Sequence, residues 1–448
     1  MKMALIFKAG FASLVLRVVS IVLEFAIILL LGRMLGPAGL GVYAFYYALV
    51  RLISIPLTAG LPTLSLREIA QTQALEQFGL MRGFIRRSTQ FILLFSGLLL
   101  IAGLIGLWSR GDELQVYWGI EIYALLLIPL VAISNLRGAM MRGLGYVVSG
   151  QLPEFALRPG VFSILLLIGI LVAPEHADPA NAMLLHLVAA LLAFMIGIAL
   201  FFRVLPKEAR VTAPEYADRR WITAIVPFSI IAGIQIVNSQ AAISVLGFYG
   251  LDTEAGLFRL AQQISLIAVF PITALSLVVA PLFAKAHAQG EKEWLQELMQ
   301  VCTTVIFAFG LLFFVVSVLL AEPLIRLVFG EDFEGSYTPL IILLIGQLFN
   351  CFTGALYPLL KMIGEEKAFA WVAGIGAAIN VVLAMGLATP YGANGAAVAT
   401  AASLTFVSLV LGVYSLRALN INPFPTKKGW RNTWRSAKEL MGARLNKE

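Results

Sequence analysis

The sequence predicts an all-α polytopic membrane protein, with about twelve transmembrane helices in two pseudo-symmetric six-helix lobes. Three observations predict it. The 448-residue chain is 60% hydrophobic and only 13% charged, whereas a soluble domain is about half apolar and about a quarter charged. Apolar runs of about 20 residues recur from one end to the other, each long enough to cross roughly 30 Å of hydrocarbon. The basic residues between those runs gather on one side.

In chain order the spans fall at 10–32, 39–62, 88–108, 117–136, 150–173, 181–202, 222–248, 254–282, 298–320, 337–360, 368–388 and 393–416. Backbone groups in lipid must be satisfied within the segment, so these runs are helices, and the alternation that a β-barrel needs is absent. Lys2 and Lys8 precede an apolar stretch with no small-residue cleavage site before Gly32, which reads as a retained signal anchor. With the amino terminus inside, the inner segments carry Arg67, Arg82, Arg86, Arg87, Arg137, Arg142, Arg203, Lys207, Arg210, Arg219, Arg220, Lys285, Lys292, Lys361 and Lys367. The outer side keeps Arg33, Arg110 and Arg326 and holds much of the acid, from Asp112 and Glu113 to Glu331, Asp332 and Glu334. That positive-inside asymmetry places both termini in the cytoplasm. The longest loops, 63–87 and 203–221, leave no room for a soluble domain of ordinary size.

Gly41-Val42-Tyr43 and Pro56 in the second span match Gly256-Leu257-Phe258 and Pro271 in the eighth, and Gly32 matches Gly247, at an offset of about 215 residues. Two halves with an even number of spans enter the membrane in the same direction, so the repeats are parallel. Chance similarity of glycine, proline and apolar text is the rival reading. The predicted organisation is a lobe at 1–211, a second at 212–418 and a basic tail at 419–448. In the tail, Trp430, Trp434, Met441 and Leu445 share a helical face, beside Lys427, Lys428, Arg431, Arg435, Lys438 and Arg444. It reads as an amphipathic helix on the anionic inner leaflet.

Four arginines, Arg17, Arg51, Arg158 and Arg259, fall inside spans, against Glu24 and Glu154 at clear membrane depth. A guanidinium there costs about 2.5–3.5 kcal/mol on insertion scales, so it faces a wet cavity or a partner. Glu154 and Arg158 are spaced i,i+4 with the acid first, which favours an intrahelical pair. Arg17 and Glu24 lie on nearly one face and admit the same reading, whereas Arg51 and Arg259 have no local acid. Snorkelling to the interface is the alternative for these last two. Facing a cavity, such arginines suit phosphate oxygens. Gln235, Asn238, Gln240, Gln262 and Gln263 suit sugar hydroxyls, or serve as hydrogen bonds between helices. Pro56, Pro129, Pro153, Pro159, Pro271 and Pro281 kink their helices, as rocking or static packing both allow. The histidines His176, His186 and His287 are scattered without ligand spacing, and Cys302 and Cys351 lie in or beside apolar runs. No metal, cofactor, catalytic residue or disulfide framework is expected.

The segment Gly32-Arg33-Met34-Leu35-Gly36-Pro37-Ala38-Gly39-Leu40-Gly41-Val42-Tyr43 resembles the junction after the first span in bacterial O-antigen and exopolysaccharide flippases. These belong to the multidrug/oligosaccharidyl-lipid/polysaccharide exporter superfamily. Arg259-Leu260-Ala261-Gln262-Gln263 and Pro281-Leu282-Phe283-Ala284 also resemble that family's eighth span and its cytoplasmic exit. The resemblance implies two six-helix lobes around a central cationic cavity, in a multi-pass protein of the bacterial inner (plasma) membrane. It implies that undecaprenyl-pyrophosphate-linked oligosaccharide crosses there by alternating access, for surface polysaccharide biosynthesis. Membrane lipids, H+ or Na+, and glycan polymerase or assembly proteins are the partners it implies, with no nucleic acid.

The expected substrate contacts are therefore Arg17, Arg51, Arg158, Arg259, Gln262, Gln263, Gln235 and Asn238, with Glu24 and Glu154 in gating or ion coupling. An ion-coupled exporter of drugs or organic cations is the first alternative, though cation cargo favours unpaired carboxylates and here arginine exceeds acid. An integral-membrane glycan polymerase or transferase is the second. Such enzymes need acidic catalytic residues or sizeable outer loops, and the first outer loop, Arg33 to Ala38, holds no carboxylate.

Overall fold

The computed structural model describes residues 2–109, 118–427 and 429–431, and for residues 2–9, 118, 277 and 278 the backbone alone. The expected amphipathic face through Trp434, Met441 and Leu445, and the acids Asp112 and Glu113, lie outside the described residues. Among the described residues the regular structure is entirely helical, and 10 helices are long and apolar enough to cross a membrane.

Two of those helices account for four of the expected spans. The first, α1 (Lys2–Ile53), carries Gly36 at φ 65°, ψ −178°. The last, Glu366–Ala418, carries Gly392 at φ 52°, ψ −133°. Only glycine adopts such backbone readily, and a proline lies close by in each helix, Pro37 and Pro390. Each long helix is thus two spans joined by a sharp break, which brings the crossings to the expected number. The protein is an all-α, multi-pass membrane protein.

Contacts divide the chain into two compact units, Met1–Gly256 and Leu257–Glu448. The seventh expected span falls in the first unit and packs there on α1. That unit comprises α1, α2 (Leu61–Ala74), α3 (Phe78–Ser109), α4 (Trp118–Gly143), α5 (Val147–Val172), α6 (Pro179–Val204) and α7 (Asp218–Phe248). Helix α4 is its hub, packed by α1, α2, α3, α5 and α6. Leu127, Ile128, Val131, Leu136, Met140 and Met141 of α4 are buried.

Local sequence sets the ends and breaks. Asp178 caps α6, its side chain accepting from the Asn181 amide at 2.8 Å, with Pro179 in the first turn. Pro153 and Pro159 each remove an amide from the α5 ladder, and between them Pro153–Leu157 forms a π-helical turn. Pro56 and Pro271 each open a new helical segment, Ile55–Thr58 and Phe270–Ala288.

The second unit gathers a separate core from Phe270–Ala288, Lys292–Phe329, Tyr337–Thr353, Leu356–Met362 and Glu366–Ala418. Phe283, Met299, Ile306, Leu359 and Leu360 are fully buried there. Cys302 and Cys351 are buried free thiols of the same core.

Candidate functional site

The first unit holds a polar cavity of about 270 Å³ at the α4–α5 junction. Gly138 and Gly150 let the two helices touch there: a Cβ on Gly138 would lie 2.6 Å from the Gly150 carbonyl oxygen, and one on Gly150 2.7 Å from that of Gly138. Arg51 enters from the end of α1, Arg142 and Asn135 from α4, Gln151 and Glu154 from α5. Ser54, Thr58 and Ser134 add hydroxyls, and Ile236 of α7 contributes to the wall. Among the described residues Arg51 makes no ion pair.

Glu154 stands in the π-helical turn and is held between two guanidinium groups. Its Oε2 lies 3.4 Å from Arg158 Nη1, the pair expected from the spacing. Its Oε1 lies 3.6 Å from Nη2 of Arg137, which is only 3% exposed. Phe155, the next residue of the turn, receives the Arg17 guanidinium over its ring at 4.6 Å and also lines the cavity. The turn thereby brings Arg17, Arg51, Glu154 and Arg158 to one region of the first unit. Five arginines (Arg17, Arg51, Arg137, Arg142 and Arg158) against two carboxylates, Glu154 and the nearby Glu24, leave the region net positive.

Glu24 is not the partner of Arg17. It accepts from the Ser20 hydroxyl at 3.0 Å on the surface of α1, within electrostatic reach of Arg158. Gln235 is exposed and Asn238 half-buried on α7, and neither lines the cavity. Arg259 belongs to the second unit, where its Nη1 donates to Gln262 Oε1 at 3.2 Å. Gln263 beside them is buried.

Two of these arginines lie beyond the spans that hydropathy marks. Arg137 and Arg142 read as basic residues of an inner loop because hydropathy ends the fourth span near residue 136. The helix continues to Gly143, which buries Arg137 and turns Arg142 into the cavity. The signal in the sequence is the spacing of Asn135, Gly138 and Arg142, one helical face that continues from the last turn of the apolar run past its end. His186, without ligand spacing in the sequence, is buried in this unit. Its Nδ1 is hydrogen-bonded to the Tyr43 hydroxyl at 2.7 Å, and Phe162 stacks on the ring at 4.7 Å.

Comparison with known proteins agrees with this architecture. A family model described as "Polysaccharide biosynthesis protein" matches residues 6–287, and one described as MatE matches residues 227–385. A probable low-salt glycan biosynthesis flippase of Haloferax volcanii is 20% identical over 414 residues, covering 91% of this chain and 83% of that protein. Among solved structures, an inward-facing multidrug resistance MATE family transporter of the MOP superfamily matches with a TM-score of 0.74 at 15% identity, over 90% of this chain and 94% of the other. A MOP superfamily transporter from Pyrococcus furiosus, described by the reverse polarity of its binding pocket, matches with a TM-score of 0.65 at 13% identity, over 92% and 96%. These structural likenesses establish a shared fold.

Proposed function

The chain belongs to the polysaccharide biosynthesis protein family, and we propose that it is a flippase for polyprenyl-pyrophosphate-linked oligosaccharide. The cargo moves from the inner to the outer leaflet of a bacterial plasma membrane by alternating access, with both termini cytoplasmic and the two repeats as the moving lobes. The relative from Haloferax volcanii supports this reading by its own description as a glycan biosynthesis flippase.

The observation that carries it is the cavity shared by Arg51 and Arg142. Two guanidinium forks offer charged donors in the geometry of phosphate oxygens. Asn135, Gln151, Ser54 and Thr58 add neutral partners for oxyanion or hydroxyl. At about 270 Å³ the cavity is smaller than the roughly 300–1,000 Å³ of an ordinary ligand pocket. It suits the phosphate group of the cargo and not a whole oligosaccharide. Arg17, Arg158, Gln235 and Asn238 are further cargo contacts within this unit, and Arg259, Gln262 and Gln263 are those of the second unit by itself. Glu24 and Glu154 tune or gate these contacts, with H+ or Na+ as the coupling ion.

An ion-coupled exporter of organic cations, the alternative left by the sequence, is not favoured, although a MatE model matches residues 227–385. Against it, Glu154 is already engaged by two arginines. A bacterium lacking its polysaccharide flippase separates the two. Restored surface glycan with the wild type, lost with Arg51→Ala at equal protein level, supports the flippase. A correctly inserted wild type that restores no glycan but confers resistance to organic cations supports the exporter.

A further inference from the structure

Arg137 poses a physical problem that packing does not solve. Its guanidinium is 3% exposed and lies in a slot against α6, where a Cβ on Gly197 would occupy the position of the guanidinium itself. Nη1 donates to the Phe194 carbonyl at 3.4 Å, while among the described residues Nε and Nη2 find no hydrogen-bond partner. Glu154 Oε2 has none either. Buried ion pairs are often matched or bettered in stability by apolar residues of the same volume, and half-satisfied polar networks are poor packing elements. A slot emptied of side chain on α6, a π-helical turn in α5 and a charge on α4 nevertheless meet at one carboxylate. That coincidence points to control of charge.

We propose that Arg137 is a positioning residue: by holding one oxygen of Glu154, it keeps Glu154 from neutralising Arg158 and so leaves positive charge available to the phosphate oxygens of an anionic cargo. The proposal rests on the reading of this region as an anion site. Two arginines and one carboxylate leave the trio with one net positive charge. Removing Arg137 leaves none, because Glu154 then belongs wholly to Arg158. Removing the charges of Arg137 and Glu154 together restores it.

The test uses the purified full-length protein and inorganic pyrophosphate as the anion, titrated by calorimetry. Arg137→Met weakens binding about tenfold, the order expected when a charged contact is lost. Arg137→Met combined with Glu154→Gln returns it to about the wild-type value. Gly197→Ala retains every charge but fills the slot, so it weakens binding in the same direction and is likewise rescued by Glu154→Gln. The Gly197 pair answers the question even where Arg137→Met fails to accumulate. Unchanged binding in Gly197→Ala, double variants as weak as their parents, or a wild type that does not bind pyrophosphate each overturn the role of Arg137. The charge order persisting in a protein that exports no glycan overturns the cargo assignment alone, and glycan export without the charge order overturns Arg137 alone.

Discussion

Gly41 and Gly256 pack backbone against backbone. A Cβ on Gly41 would lie 2.9 Å from the Gly256 amide nitrogen and run into the Asp252 carbonyl, and one on Gly256 would lie 3.1 Å from the Gly41 nitrogen and run into the Pro37 carbonyl. The relationship is reciprocal, as expected of two equivalent positions. These are also the glycines paired by the offset of about 215 residues in the sequence.

The close approach makes Gly41→Ala destabilising, because main chain cannot yield as a flexible side chain can. A loss of about 1–3 kcal/mol is expected, the usual range for overpacking. Gly386→Ala is the control: it lies in the helix Glu366–Ala418 with none of the described residues within 4 Å of a Cβ. There the change is neutral or stabilising. Thermal unfolding in detergent reads both, and equal midpoints for the two variants would discard the glycine contact as a structural determinant.

A second tie joins α2 to the start of α7. Glu68, 2% exposed, lies 2.8 Å from Arg220 Nη2 and accepts from the Trp221 indole nitrogen at 3.2 Å. Arg220 is 46% exposed, so its pairing is screened. Arg67, 3.6 Å from Glu68 Oε1, still faces the buried carboxylate without it, so Arg220→Ala costs about 1 kcal/mol. Glu68→Ala leaves the buried indole N–H without its acceptor and costs about 1–3 kcal/mol. Similar losses from the two substitutions, measured as unfolding midpoints, would mean that the tie is only a surface ion pair.

The buried Tyr43–His186 hydrogen bond gives a third prediction. Tyr43→Phe strands an imidazole nitrogen away from water and destabilises by about 1–3 kcal/mol. Replacing both residues by Phe removes donor and acceptor together and keeps a ring against Phe162, so the double variant recovers most of the loss. Additive losses across that double-mutant cycle would show that the hydrogen bond contributes nothing of its own.

What the sequence disclosed follows from where the hydrophobic effect acts. The spans were legible because each is a long apolar run, and Gly36 and Gly392 break the two longest helices near the expected junctions. The Glu154–Arg158 pair was legible because it is local to one helix. Arg137 and Arg142 were not, because hydropathy locates the end of an apolar run and not the end of a helix. Nor does spacing reveal that Glu154 meets Arg137 from another helix, or that Glu24 turns to Ser20 instead of Arg17. The unit boundary at Gly256 likewise depends on how α7 packs, which periodicity does not encode.

Arg142 supplies the last prediction, since it shares the cavity with Arg51 but stands at the end of α4. Arg142→Gln keeps a polar side chain and removes the fork and its charge. Loss of a hydrogen bond to a charged group corresponds to about tenfold or more in affinity, so glycan export at limiting substrate should fall by about that factor at equal protein level. Arg142→Lys retains the charge without the bidentate geometry and should fall between the two. The ranking Arg, Lys, Gln reports a phosphate contact. If Lys equals Arg, only net charge matters at this position. If Gln equals Arg, the cargo does not touch this end of the cavity and Arg51 acts without it.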